Sequence, residues 1–231
     1  MKKLIYFGIL SFLFMQACGQ TAGKKFTDEF KIDSCRFSTT GRNSFFILEP
    51  GYQLVLQGNE EGNSVRLVIT VLNQTKKVGK IETRIVEENE SENGKTIEIS
   101  RNYFAICQQT GSVFYFGEDV DIYENGKVVN HEGAWLAVGK NKAGVIMPGE
   151  SLIGARYYQE IAPGVAMDRA EILAIDETVR TPAGNFSNCL KTEESNSLKP
   201  KEKEMKFYAP GVGLVKEENL VLVKYGFIQQ N

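Results

Sequence analysis

The chain has 231 residues, with 27 lysines and arginines against 29 aspartates and glutamates, for a formal net charge of −2 at neutral pH. A surface this mixed and mildly acidic lacks the basic stripe of a nucleic-acid binder, so nucleic acid is excluded as an expected partner. None of the four cysteines stands at C-x-x-C spacing from another, which leaves no expected metal site, and the length suits one all-β domain or two small lobes sharing a core.

The first residues read as a targeting segment. Lys2 and Lys3 precede residues 4–14, which are apolar apart from Ser11 and Gly8. That run is well short of the ~20 residues that a spanning helix needs. It ends at Met15-Gln16-Ala17-Cys18-Gly19, which resembles the lipobox of bacterial lipoproteins, with Met15 where the family usually has leucine. The resemblance implies acylation of Cys18, which becomes the first mature residue and the anchor to a membrane. Because Gly19 is not aspartate, the same resemblance favours the outer over the inner membrane. Ala17-Cys18-Gly19 also satisfies a small-x-small signal, so cleavage after Gly19 to release a soluble periplasmic protein is the alternative. Residues 19–25 are small or polar and suit a flexible tether.

A short helical turn is expected over residues 28–32, capped by Thr27 and with acids near its start. Beyond residue 41, strand follows strand. Val65, Leu67, Ile69 and Val71 alternate with Arg66, Val68, Thr70 and Leu72, the period of a strand with one buried face. Ile81, Thr83 and Ile85 repeat the pattern against Glu82 and Arg84, as do Ile97 and Ile99 against Glu98 and Ser100. Between them, residues 87–94 are acidic and end in Asn93-Gly94, which predicts a solvated hairpin tip. Further strands are expected over 113–116, 171–181 and 186–194, with turns at 124–127 and across Pro182-Ala183-Gly184-Asn185. The lysine- and glutamate-rich stretch 195–206 reads as another solvated connection; Met205 and Phe207 alternate with Lys206 and Tyr208 at its end, and with 214–215 and 220–225 they complete a mostly antiparallel sheet of ten or more strands.

Several phrases recur together in a group of bacterial envelope proteins without an assigned activity. They are Arg101-Asn102-Tyr103-Phe104, residues 154–160 around Tyr157-Tyr158, Thr181-Pro182-Ala183-Gly184-Asn185-Phe186, and Tyr208-Ala209-Pro210-Gly211-Val212-Gly213-Leu214-Val215. The chain resembles that group over residues 43–226. The resemblance implies a strongly curved sheet, a half-barrel or open barrel similar to the periplasmic lipoprotein carriers, with at most one or two short helices. The expected organisation is a signal peptide over 1–17, a tether and short N-terminal segment over 18–40, and a β half-barrel over 41–231.

Of the three cysteines left after Cys18, at most one pair can form a disulfide. Cys107 and Cys189 are expected as small buried hydrophobes and Cys35 as the more exposed thiol. His131 has neither a nucleophile nor an orienting group near it in sequence and is expected on an exposed loop. Asp119 and Asp121 fail calcium-loop spacing, since Tyr123 and Glu124 take the fifth and sixth places. Trp135, the only tryptophan, is expected in the core or at a cavity mouth. Residues 157–171 mix aromatic and charged groups most densely. There Glu160 and Asp168 flank a Pro-Gly turn, and Arg156 and Arg169 are expected to neutralise them across the strands. Trp135, Tyr157, Tyr158, Glu160, Asp168 and Arg169 are therefore the candidate ligand-binding residues. With no catalytic constellation and no cofactor motif, the expected function is not enzymatic. It is an anchored envelope protein binding an apolar or amphipathic ligand, such as a lipid, in a concave sheet; the alternative is a module docking another envelope protein.

Overall fold

The structure, a computed structural model, describes residues 25–228; the signal peptide expected over 1–17 and the expected anchor Cys18 lie outside them. Three short strands come first: β1 (Phe37–Ser38), β2 (Gly41–Asn43) and β3 (Phe46–Leu48). Long antiparallel strands follow: β4 (Tyr52–Glu60), β5 (Asn63–Val78), β6 (Ile81–Glu92), β7 (Lys95–Cys107) and β8 (Val113–Glu124). Next come β9 (Lys127–Asn130), β10 (Trp135–Leu136), β11 (Lys142–Met147), β12 (Arg156–Tyr158) and β13 (Glu160–Ile161). The chain ends with β14 (Asp168–Thr181), β15 (Gly184–Asn196), β16 (Lys203–Ala209), β17 (Gly213–Glu217) and β18 (Leu220–Phe227). Among the described residues no helix reaches seven residues, so the fold is all-β as the alternation predicts.

Thirteen of these strands form one antiparallel sheet in the order β12-β14-β15-β16-β17-β18-β4-β5-β6-β7-β8-β11-β13, strongly curved and nearly closed into a barrel. The two ends of that path are β12 and β13, and only Gln159 separates them in sequence. The chain thus pairs with β14 through Tyr157 and Ala170, then crosses to pair with β11 through Glu160 and Ala143. Gly144 makes the crossing feasible, because a Cβ there would lie 2.2 Å from the carbonyl oxygen of Gln159. The turns obey simple rules. Asn93 and Asn125 take the left-handed backbone that tight two-residue hairpins require, at φ of 49° and 52°.

One end of the barrel is plugged by the β2–β3 hairpin. Buried Asn43 ties it down by donating through Nδ2 to the carbonyls of Gly111 and Pro148, each at 2.9 Å. The Phe46 ring meets Phe104 edge-on at 5.3 Å, and the Tyr52 hydroxyl donates to the Val212 carbonyl at 2.8 Å. Side chains from β4, β5, β15 and β18 complete the core there, with Leu48, Leu56, Leu190 and Leu222 fully buried.

The segment before β2 covers the outer wall. Phe30 and Phe37 pack edge-on against Phe114 at 5.9 and 5.4 Å, and Phe37 also meets Phe116 at 5.2 Å. Thr27 does not cap a helix: its backbone bridges β12 by accepting from Tyr158 and donating to the Arg156 carbonyl, and the one helical turn is Ile32–Ser34. Cys35 and Cys107 form a disulfide across 72 positions, so Cys107 is not the free buried thiol of the sequence reading, whereas Cys189 is free and buried. Two charged stretches read as solvated are largely strand. Residues 87–92 belong to β6, and only 197–202 of the lysine-rich stretch lie between strands.

A loop of this size, closed covalently, constrains the unfolded chain by about 2–4 kcal/mol. A Cys35→Ser variant should therefore lose about that much unfolding free energy and unfold at a lower urea midpoint, while Cys189→Ala should leave the disulfide contribution untouched. Equal midpoints for the oxidised and reduced protein would show that the bond adds nothing.

Candidate functional site

A cavity of about 400 Å³ lies inside the barrel, at the small end of ligand-sized pockets. Its apolar part is lined by the plug residues Phe45, Phe46 and Ile47 with Ile69, Val71, Val86 and Phe104. Its other part is lined by carboxyl groups from many strands, chiefly Glu88, Glu98, Glu118, Glu160 and Asp168. The change of character runs along single strands. Successive inward positions of β7 are Phe104, Asn102, Ser100 and Glu98; on β16 they are Tyr208, Lys206 and Glu204.

This inverts the faces expected for two strands. The sequence alternation put Ile97 and Ile99 inward and Glu98 and Ser100 outward, but Glu98 and Ser100 line the cavity. On β6 it is Val86 and Glu88 that face inward, next to buried Thr83 and Arg84. On β7, Ile97 and Ile99 are outward because Glu98 and Ser100 take the inward positions on the cavity wall.

The most enclosed group is Glu160, placed by the crossing from β12 to β13. Its carboxylate accepts from Trp135 Nε1 at 3.2 Å and is hydrogen-bonded to Asp168 and to Glu118. Gly117 positions the indole: a Cβ there would stand 2.3 Å from the Trp135 carbonyl oxygen, so β10 can lie against β8 only over a glycine. Tyr115 adds a hydroxyl that donates to Asn102 Oδ1 and also contacts Glu118. Burial pushes Glu160 well above the ordinary carboxylate range, reinforced by Asp168 and Glu118. Burial likewise lifts Glu118 and Glu88 to about 7 and raises Glu98. Such a cluster can share protons or hold a cation; among the described residues, no three acids, histidines or cysteines converge to hold a metal ion.

Of the six candidate binding residues, Glu160 and Asp168 come together on the cavity wall and Trp135 stands behind them as a core side chain. The other three do not line it. Tyr157 is buried with its hydroxyl unpartnered, Tyr158 packs edge-on to Phe26 at 6.0 Å, and Arg169 stacks over Phe26 at 4.4 Å while donating to Ser195 Oγ. The expected pairing of Arg156 and Arg169 with Glu160 and Asp168 is not made, because Arg156 is taken by Glu171 at 2.6 Å. His131 sits on the outside, where Nδ1 meets the Val120 carbonyl and Asp121. Asp119 and Asp121 are in ion pairs with Lys76 and Arg101. The residues that sequence reasoning missed are Glu88, Glu98, Glu118 and Lys206. A signal was present in the acids at alternate positions 88, 90 and 92, a strand period that a loop has no reason to keep.

The raised carboxyl groups set a pH dependence. Between an unfolded value near 4.5 and a folded value near 7, the native chain holds more protons than the unfolded one, so stability falls as pH rises. Glu49 and Asp119, held low by Arg42 and by their Tyr103 and Lys76 partners respectively, lose their contribution only below that window. Melting temperature should therefore drop as pH is raised from about 5 to about 8, and Glu88→Gln should flatten the profile. A melting temperature that climbs over this interval would contradict the assignment of these groups to the interior.

No protein-family model matches the chain, and no curated protein does. Among solved structures, the chain is similar to a candidate lipoprotein from Parabacteroides distasonis, at 16% identity and a TM-score of 0.39 over 81% of this chain and 100% of that one.

Proposed function

We propose that this protein is an exported, lipid-anchored component of a bacterial cell envelope whose barrel binds an amphipathic ligand without transforming it. The cavity carries the reading: a space of about 400 Å³ with an aromatic and aliphatic part continuous with a hydrogen-bonding one suits a molecule of the same two characters. Export is supported by the Cys35–Cys107 disulfide, a bond that persists in oxidising compartments, together with the leader and Cys18. A non-catalytic role is supported by the make-up of the cavity wall, where carboxyl groups stand beside Tyr115 and Asn102 rather than beside an activated nucleophile. A docking module is the second reading, favoured by Leu152 and Ile153, which stand 58% and 64% exposed side by side between β11 and β12.

Two measurements test the proposal. Replacing Cys18 by serine should move the protein from the membrane to the soluble fraction, and retention of the variant on membranes would remove the lipid anchor. Native mass spectrometry of the full processed chain, isolated from its own envelope, should show a reproducible extra mass that passes into organic solvent. A bare protein mass would transfer the reading to the docking module.

A further inference from the structure

The polar part of the cavity holds more acid than the chain supplies cations to match. Lys206 points into it from β16 and is already surrounded, with Glu217 at 2.9 Å, Glu194 at 3.2 Å and Glu204 at 3.7 Å. Lys199, at the turn between β15 and β16, is paired with Glu202 at 3.6 Å. Among the described residues, no lysine, arginine or histidine is within ion-pair distance of Glu88, Glu98, Glu118, Glu160 or Asp168. Three of these satisfy one another through hydrogen bonds with Tyr115 and Trp135. Glu88 and Glu98 do not: each reaches the cavity from the wall, and neither makes a hydrogen bond or ion pair within the described chain.

Protonation alone leaves this arrangement incomplete. A neutral Glu88 carboxyl loses its charge but keeps an O–H donor that meets no acceptor of the described chain. A ligand that donates hydrogen bonds and carries positive charge satisfies both oxygens at once. Metal ions are a poor match, because no three of the acids converge on a point; they are spread round a space that a larger head group would fill. A fatty acid or phosphate head is a worse match, since its charge would meet the carboxyl groups of Glu88 and Glu98, which no cation of the described chain pairs.

Resting on the cavity reading above, we propose that the ligand is an amphipathic organic cation, an amine whose head lies among Glu88, Glu98 and Glu118 and whose apolar body lies against Val71, Val86 and Phe104. The head displaces protons from the acids it meets, so binding strengthens as pH rises toward 8. The groups facing Glu88 in this respect are Glu98 on β7, Glu118 on β8, Lys206 on β16 and Glu217 on β17, and Lys206 is the one that opposes the ligand.

The test uses the full lipid-anchored chain in lipid nanodiscs, titrated at pH 8 with hexylamine, hexanol and hexanoate, with empty nanodiscs as blank. The fluorescence of Trp135, the sole tryptophan and a hydrogen-bond partner of Glu160, reports occupancy beside calorimetry. Hexylamine should bind at least about tenfold more tightly than hexanoate, and Glu88→Gln should remove most of that preference. Glu98→Gln, nearer the mouth, serves the same purpose should the first variant melt below the working temperature. Hexanol or hexanoate binding as well as hexylamine would overturn the cationic ligand while leaving an amphipathic cavity standing. Failure of all three probes would overturn both.

Discussion

A sheet of thirteen strands has two edges, and this chain meets both with one short stretch, residues 156–161. Backbone groups left open at a sheet edge must find partners or water, and here they find each other's strand through a crossing only a few residues long. The crossing requires Gly144 on one side, and its first half is held from outside by the backbone of Thr27. Without it the interior would be an open trough washed by solvent. With it, water is partly excluded, carboxyl groups on the inner wall sit in a medium of lower dielectric, and their proton affinity rises.

The interior is therefore a balance between two demands on the same strands. Closing a barrel usually rewards apolar inward positions, and the plugged end follows that rule through Leu48, Leu56, Phe46 and Phe104. Toward the other end, acids stand on β6, β7, β8, β13 and β14, while the lysine of β16 is taken up by the acids of β15 and β17, and Lys199 by Glu202. Buried like charges cost stability unless they are protonated or matched.

How much of this could be read from the sequence differs by strand. β5 was legible, because its inward residues Leu67, Ile69 and Val71 are apolar and its neighbours include arginine and threonine. The hairpins at Asn93 and Asn125 were legible from turn chemistry alone. β7 was legible as a strand but not as a face. The isoleucines at 97 and 99 look like core by the ordinary rule, yet the cavity takes Glu98 and Ser100 instead. The same rule dismissed residues 87–92 and 203–206 as solvated, since charge normally marks the outside. Glu160 and Asp168 were brought to notice by their neighbourhood, but their partners were not: cross-strand arginines were expected, and an indole and a third carboxyl from β8 supply the contacts. Only the register of the closed barrel brings β8, β13 and β14 together, and no local pattern encodes it.

The position of the disulfide has a mechanical meaning. Thr27 lies upstream of Cys35 and grips the barrel at the β12 crossing, whereas Cys35 is fastened to the end of β7, an interior strand of the sheet. Tension drawn through the N-terminus would reach Thr27 first, across two backbone hydrogen bonds, and would then meet a covalent stop at Cys35. The strand crossing that completes the barrel is thus the element most directly coupled to a pull on the leading end. The wall itself is shielded from that force by a sulfur–sulfur bond.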